Sequence, residues 1–406
     1  MFAARLLTLV TLLVFFLPGC SPPKKMPYAQ NIRNVIIIAC DTLRAGHLGF
    51  MGYERDTSPF IDSIAERSVV FENMYTPKSL TLPSFTSFFS GQHPTTTKIY
   101  KNMWPLAEDQ HMLTEDFKKA GYQTMFFSAS GILHSRYKLN KGFDFYRDAD
   151  PHPEPAEHIL QLVKEKLDEG INKPLFLTVH FWTTHSPYDP YPEYEELFAD
   201  PEYEGPMNGT VDTLNAYNLY QLDLEPKDIR HGVDLYDGEI RELNDEVRDL
   251  WEYFDEKGLI DNSLIIFWSD HGERLGEEHL FQHRRDSEWE LHVPLFMHFP
   301  GDFMGGTRIS SLAETTDILP TVMEILGVRA PKNIDGISLY PLFENPDADH
   351  RNVLISLGVD DSGKFLFSQW DGFERVRIPS PVPDPVPVFL DEQDLERLRA
   401  LGYIDD

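Results

Sequence analysis

The chain has 406 residues, 41% hydrophobic and 25% charged, which is enough apolar content to bury a large core and too much for a disordered segment. Lys+Arg 36 against Asp+Glu 66 leaves a formal charge of −30, which repels phosphate backbones and argues against nucleic acid as a partner. An anionic substrate would need a local positive centre, and two cysteines, Cys20 and Cys40, exclude a disulfide framework.

Arg5 and the apolar run Leu6 to Leu17 read as a signal peptide over residues 1–19, too short to span a bilayer as a helix. Leu17-Pro18-Gly19-Cys20 has the form of a bacterial lipobox. Cleavage before Cys20 and acylation of its thiol would anchor the protein to a membrane of the bacterial envelope, facing the periplasm. The bland reading is a cleaved secretory signal followed by an incidental cysteine. Residues 20–30, with Pro22, Pro23, Lys24 and Lys25, form an extended linker.

From residue 31 apolar runs of strand length alternate with helical patterns. Strands are predicted at Val35–Cys40, Thr124–Ser128, Leu175–Phe181, Ser263–Trp268 and Pro294–Phe299. A helix over Glu239–Lys257 puts Ile240, Leu243, Val247, Leu250, Trp251 and Phe254 on one face, with Gly258 as its stop. Near-continuous apolar strands between amphipathic helices predict an α/β domain over 31–345, with a mainly parallel central sheet flanked by helices. Pro379, Pro381, Pro383, Pro385 and Pro387 predict a stiff extended stretch, and Asp391–Leu401 a short helix. Residues 346–406 are therefore expected to form a small C-terminal subdomain or arm.

Ligands of open α/β sheets gather beyond the carboxyl ends of the strands. Asp41 follows one such end, and Asp270-His271 follows another. Two carboxylates and an imidazole suit a divalent metal, although strand-end Asp residues also cap helices. In Thr81-Leu82-Pro83-Ser84-Phe85-Thr86-Ser87-Phe88-Phe89-Ser90-Gly91, Pro83 fits the first turn of a short helix and Gly91 its end. Thr81 then lies at the helix start. It is either an ordinary N-cap or a hydroxyl activated by metal coordination.

Taken in order, these strings resemble the sulfatase family of the alkaline phosphatase superfamily. The matching segments are Asn34 to Arg44 with His47-Leu48-Gly49, Thr57-Ser58-Pro59-Phe60-Ile61-Asp62, Ser269-Asp270-His271-Gly272-Glu273, Asp317-Ile318-Leu319-Pro320-Thr321 and Leu401-Gly402-Tyr403-Ile404. The resemblance implies an alkaline-phosphatase-like fold and one divalent ion (Mn, Zn, Ca or Mg) on Asp41, Thr81, Asp270 and His271, with Thr81 also the nucleophile. It further implies that His185 and His283 act on the substrate side; as alternatives, His185 is a buried turn histidine and His283 a surface one. His271 favours Mn²⁺ or Zn²⁺ over Ca²⁺. The substrate would be an anionic sulfate or phosphate ester.

The chain also departs from the family pattern. Sulfatases that use formylglycine read Cys or Ser, x, Pro, x, Arg at the nucleophile, where this chain has Thr81-Leu82-Pro83-Ser84-Phe85. Thr cannot be oxidised to formylglycine, and Phe85 removes the supporting arginine. Thr42 and Gly46 stand where Asp is common. Thr with Asp-His resembles instead the related phosphoethanolamine transferases, so transfer or phosphodiester chemistry is the alternative, followed by a non-catalytic binding lipoprotein. Lys98, Lys101, Arg284 and Arg285 are candidate sources of positive charge, and Tyr188–Gly232 is read as loops shaping the leaving-group pocket.

Overall fold

Strands that are apolar at every position fit only the middle of a sheet covered on both faces. The computed structural model describes residues 28–149, 153–283, 285–351, 353–359, 365–371 and 374–379. Cys20 and the lipobox, Arg284, the stretch after Pro379 and the Asp391–Leu401 helix lie outside the described residues.

An 8-stranded sheet forms the centre, in the order Arg308–Ile309, Val69–Phe71, Leu295–His298, Ser263–Ser269, Asn34–Cys40, Leu175–Phe181, Gln123–Phe127, Phe145–Arg147. Every pairing is parallel except those of Leu295–His298, which runs against both its neighbours. The three middle strands are buried along their whole length. At their amino ends Asn34 ties them together. Its Oδ1 accepts from Leu175 N at 3.0 Å, and its amide donates to Asn262 and to Ser263.

Side-chain alternation assigns the two flanking helices to opposite faces. Trp268 stacks on Phe88 of the Thr81–Ser90 helix with ring centroids 4.2 Å apart, and Phe85 of that helix meets Trp268, His180 and Phe126 edge-on. His298 pairs with Ile265, which points away from Trp268's side, and it meets Trp251 of the Pro226–Glu256 helix. Each wholly buried Phe contributes roughly 1.5–3 kcal/mol by leaving water. The short helix therefore sits firmly although its ten residues offer little helical stability alone.

The long helix starts at Pro226, well before the expected Glu239. Pro226 supplies the first helical residue, and Glu225 and Asp228 form a reciprocal capping pair. Two glycines had masked this start. Gly232 lies against the Phe281 ring and Gly238 against Pro190, where a Cβ would come within 3.0 Å of its neighbour. The stretch read as loops also holds a helix at Val211–Asn218. Other strand ends shift by a residue, to Gln123–Phe127 and Leu295–His298. Val69–Phe71, Phe145–Arg147 and Arg308–Ile309 are too short to carry an alternation signal. Beyond the main body, Val353–Val359, Phe365–Asp371 and Glu374–Pro379 pair as an antiparallel three-stranded sheet.

Candidate active site

The register of the middle strands brings the two acids together. Cys40 pairs with Ser269 on one side and Phe181 on the other, so Asp41 and Asp270 leave the sheet side by side. Asp270 Oδ1 is used structurally, accepting from His271 N at 2.8 Å and Thr42 N at 3.2 Å. Its backbone carbonyl accepts from Ser84 Oγ at 2.7 Å, which docks the Thr81–Ser90 helix onto this strand end. Thr42 takes a positive φ of 52°, strained for a β-branched residue. It is held there by Thr42 Oγ1 donating to Thr184 O at 2.6 Å and Tyr236 OH donating to Thr42 O at 2.8 Å.

Ligand atoms of Asp41, Asp270 and His271 lie within 4.8 Å of one another, all buried. His271 Nδ1 faces the Gly272 carbonyl at 3.0 Å and donates to it, which leaves Nε2 as the nitrogen toward the acids. That Nε2 is 3.6 Å from Asp270 Oδ2 and 3.9 Å from Asp41 Oδ1. Both Asp41 oxygens, Asp270 Oδ2, His271 Nε2 and Thr81 Oγ1 are shut from solvent without a conventional hydrogen-bond partner. Buried polar atoms are almost always paired, so orphaned donors converging on one point mark a place built for something else. Burial raises the Asp41 carboxyl well above its usual range, against a smaller downward pull from the nearby Thr81 hydroxyl. Burial and then the Asp41 charge push Asp270 up to about 8. Oxygen donors with one neutral imidazole fit a divalent cation, which would reverse both shifts.

Thr81 is the first helical residue, and Leu80 occupies the cap position. The hydroxyl makes no cap hydrogen bond, so the N-cap reading fails and Oγ1 is turned to the acids instead. Leu82 N is served by Asn102 Oδ1 at 2.9 Å, a replacement for the missing cap.

His185 and His283, the two histidines expected on the substrate side, form a row with His271. The His283 ring lies 4.3 Å from that of His271 and 5.2 Å from that of His185, and Trp182 stacks on His185 at 3.8 Å. His283 is only 5% exposed, which overturns its reading as a surface residue. His185 Nδ1 donates to the Ser186 carbonyl at 2.7 Å, which leaves Nε2 as the ring nitrogen that can face a ligand. Glu273 Oε1 lies 3.0 Å from His283 Nδ1 and orients that ring. Asp41, Thr81, His185, Asp270, His271 and His283, the predicted site residues among those described, thus meet in one corner.

Two neighbours went unread in the sequence. His180 Nε2 lies 3.3 Å from Asp41 Oδ2, and burial lowers its pKa to about 3, so it is neutral. It sits inside a continuous apolar run, and nothing local distinguishes it from a core residue. Lys78, in contrast, is buried and paired to Asp286 at 2.8 Å, a cation close in sequence to Thr81. Lys98 and Lys101 are exposed.

The family model described as Sulfatase matches residues 33–328. An ulvan-active sulfatase of Formosa agariphila is 24% identical, the match covering 80% of this chain and 68% of that protein. An arylsulfatase of Clostridium perfringens is 23% identical, with 84% and 85% covered. The crystal structure of a phosphonate monoester hydrolase of Agrobacterium radiobacter superposes with a TM-score of 0.69 at 19% identity, covering 83% of this chain and 85% of that one.

Proposed function

Because the chain belongs to the sulfatase family and is an ester hydrolase of that family, we propose that it cleaves sulfate or phosphate esters through a covalent ester on Thr81. The observation that carries this reading is Thr81 Oγ1, buried and orphaned at a helix start beside Asp41, Asp270 and His271. A divalent cation held by these four residues would supply Lewis acidity, lowering the hydroxyl's pKa and offsetting the ester's charge. Thr81 Oγ1 attacks phosphorus or sulfur in line, forming the Oγ1 ester as the bond to the leaving oxygen breaks. His185 and His283 hold the nonbridging oxygens and give a proton to the leaving oxygen, with Glu273 keeping the His283 ring in place. Water then cleaves the Thr81 ester. An acceptor alcohol in its place would make the enzyme a transferase.

Within this proposal phosphate mono- or diesters are favoured over sulfate esters. Thr81 cannot become formylglycine, and aromatic Phe85 fills the position of the family's supporting arginine, packed on His180 and Trp268. The periplasmic address and the lipid anchor at Cys20 remain part of the proposal, read from residues 1–30 alone.

Intact-mass analysis after incubation with 4-nitrophenyl phosphate and 4-nitrophenyl sulfate, with Mn²⁺ or Zn²⁺ added, tests the reading. The expected result is a phosphoryl or sulfo adduct on the Thr81 peptide. Thr81→Ala should lack it and turn over at least roughly 10³-fold more slowly. Unchanged turnover by Thr81→Ala, or an adduct on another residue, overturns it.

A further inference from the structure

A second cluster of acids lies outside the corner just described. On the Pro226–Glu256 helix, Glu239, Glu242 and Glu246 are spaced three and four residues apart and so share one face. With Glu154, Glu157 and Asp189 they line a cavity of about 230 Å³, and among the described residues no Lys, Arg or His lines it. Carboxylates gathered this closely repel one another, and their partners do not offset the charge. Glu246 accepts from Thr183 Oγ1 at 2.6 Å, Glu242 from Tyr191 N at 3.1 Å, and Glu239 Oε1 from Asp189 N at 2.9 Å. Those are neutral donors. Arg147 and His158 pair with Glu154 at the edge of the group.

Glu239 points to a ligand independently of the charge count. It is only 4% exposed and lines the cavity, and its Oε2 is shut from solvent with no hydrogen-bond partner. Burial, with mutual repulsion added, raises Glu239 well above the carboxylate range, Glu242 to about 7 and Glu246 to about 8. The donors that reach the trio are all neutral, so a cation would offset its charge. A single metal ion does not fit. Among the described residues, Asp41, Asp270 and His271 alone bring three acidic or histidine ligand atoms within one ion's reach. Trp182 and Tyr191 complete the wall, and aromatic faces attract ammonium groups.

We propose that this cavity binds an organic ammonium group, held by the Glu239, Glu242 and Glu246 carboxylates against Trp182 and Tyr191. Trp182 also stacks on His185, so the cavity shares a wall with the candidate active site. The ammonium is either carried by the ester substrate or belongs to a separate small amine. Binding does not depend on the ester chemistry, and it is tested on protein that cannot react.

The full chain carrying Thr81→Ala is added to tetramethylammonium chloride or ethanolamine at constant ionic strength, and the ligand methyl or methylene resonance is followed by NMR. Saturable binding is expected, weakened at least roughly tenfold by the double change Glu239→Gln and Glu246→Gln. Glu242→Gln, at the half-buried end of the trio, is expected to weaken it several-fold and serves as the probe should the double variant not fold. In turnover assays of the active enzyme, ethanolamine that raises KM alone assigns the ammonium to the substrate. A change in kcat alone assigns it to a separate amine, and both results uphold the site. Absence of saturable binding overturns the proposal. So does equal affinity in folded Gln variants, or calcium chloride binding there in place of both amines.

Discussion

Two buried clusters of carboxylates flank the segment that follows the first strand, and their hydrogen bonding is opposite in kind. Asp237, on the long helix, is fully engaged: His47 Nδ1 lies 2.7 Å from Oδ1, Tyr53 OH donates to Oδ2 at 2.7 Å, and Arg55 bridges Asp237 and Asp234. Asp41 and Asp270 leave three carboxylate oxygens without a conventional hydrogen-bond partner. Both clusters are desolvated, so both would be costly if uncompensated. The first is compensated from within the chain and clamps the segment carrying His47 to Arg55 onto the helix. The second has no such compensation among the described residues, and that separates a structural cluster from a candidate functional one.

Substitutions in the two clusters should therefore move stability and turnover in opposite directions. The largest effect is expected from Asp270→Asn. Turnover should fall roughly 10³-fold or more, since a ligand position is lost. In chelator-treated protein the same change should raise the thermal midpoint, because it removes a carboxyl that burial, and then the Asp41 charge, push up to about 8. A lower midpoint in chelator would contradict the account of the orphaned acids. Next, Asp237→Ala should cost about 1–3 kcal/mol in denaturant unfolding, since His47 and Tyr53 lose their partner while Arg55 keeps Asp234. Its kcat per folded molecule should stay within a few-fold of the parent, and a 10³-fold loss would place Asp237 in the chemistry.

The smallest effect sharpens the comparison with the acidic cavity. Glu246 keeps its proton in the folded chain up to about pH 8 but loses it near 4.5 when unfolded. Through that window the native state holds the extra proton, so stability falls as pH rises from about 5 to 8. Glu246→Gln removes this contribution. Its thermal midpoint should gain on the parent by about 1–3 °C across the window. A difference that is flat with pH, measured by differential scanning fluorimetry, would count against the buried-acid account.

Much of the site was legible because its signals are local. An apolar run ending in Asp, an Asp-His pair at a second strand end, and Thr-x-Pro opening a Phe-rich helix each carry their own pattern. What failed was also local in cause. The long helix begins with Pro226 and includes two glycines that low helix propensity argues against, yet those glycines are required by Phe281 and Pro190 packed on them. Thr81 looked like a cap because Thr usually is one, and only the placement of Leu80 and Asn102 freed its hydroxyl.

The amino-acid order alone determined the α/β class, the strand-end acids and the residue types available for chemistry, since alternation and capping act over a few residues. Tertiary structure decided which of those residues meet. Asp41 and Asp270 are adjacent only because Cys40 pairs with Ser269 across the sheet. His180 reaches Asp41 only because Phe181 pairs with Cys40 on the other side. Glu239, Glu242 and Glu246 become a cavity wall only once Trp182 and the 153–157 segment close over their helix face. Register and packing between distant segments leave no short-range trace, because they arise from the burial of whole faces.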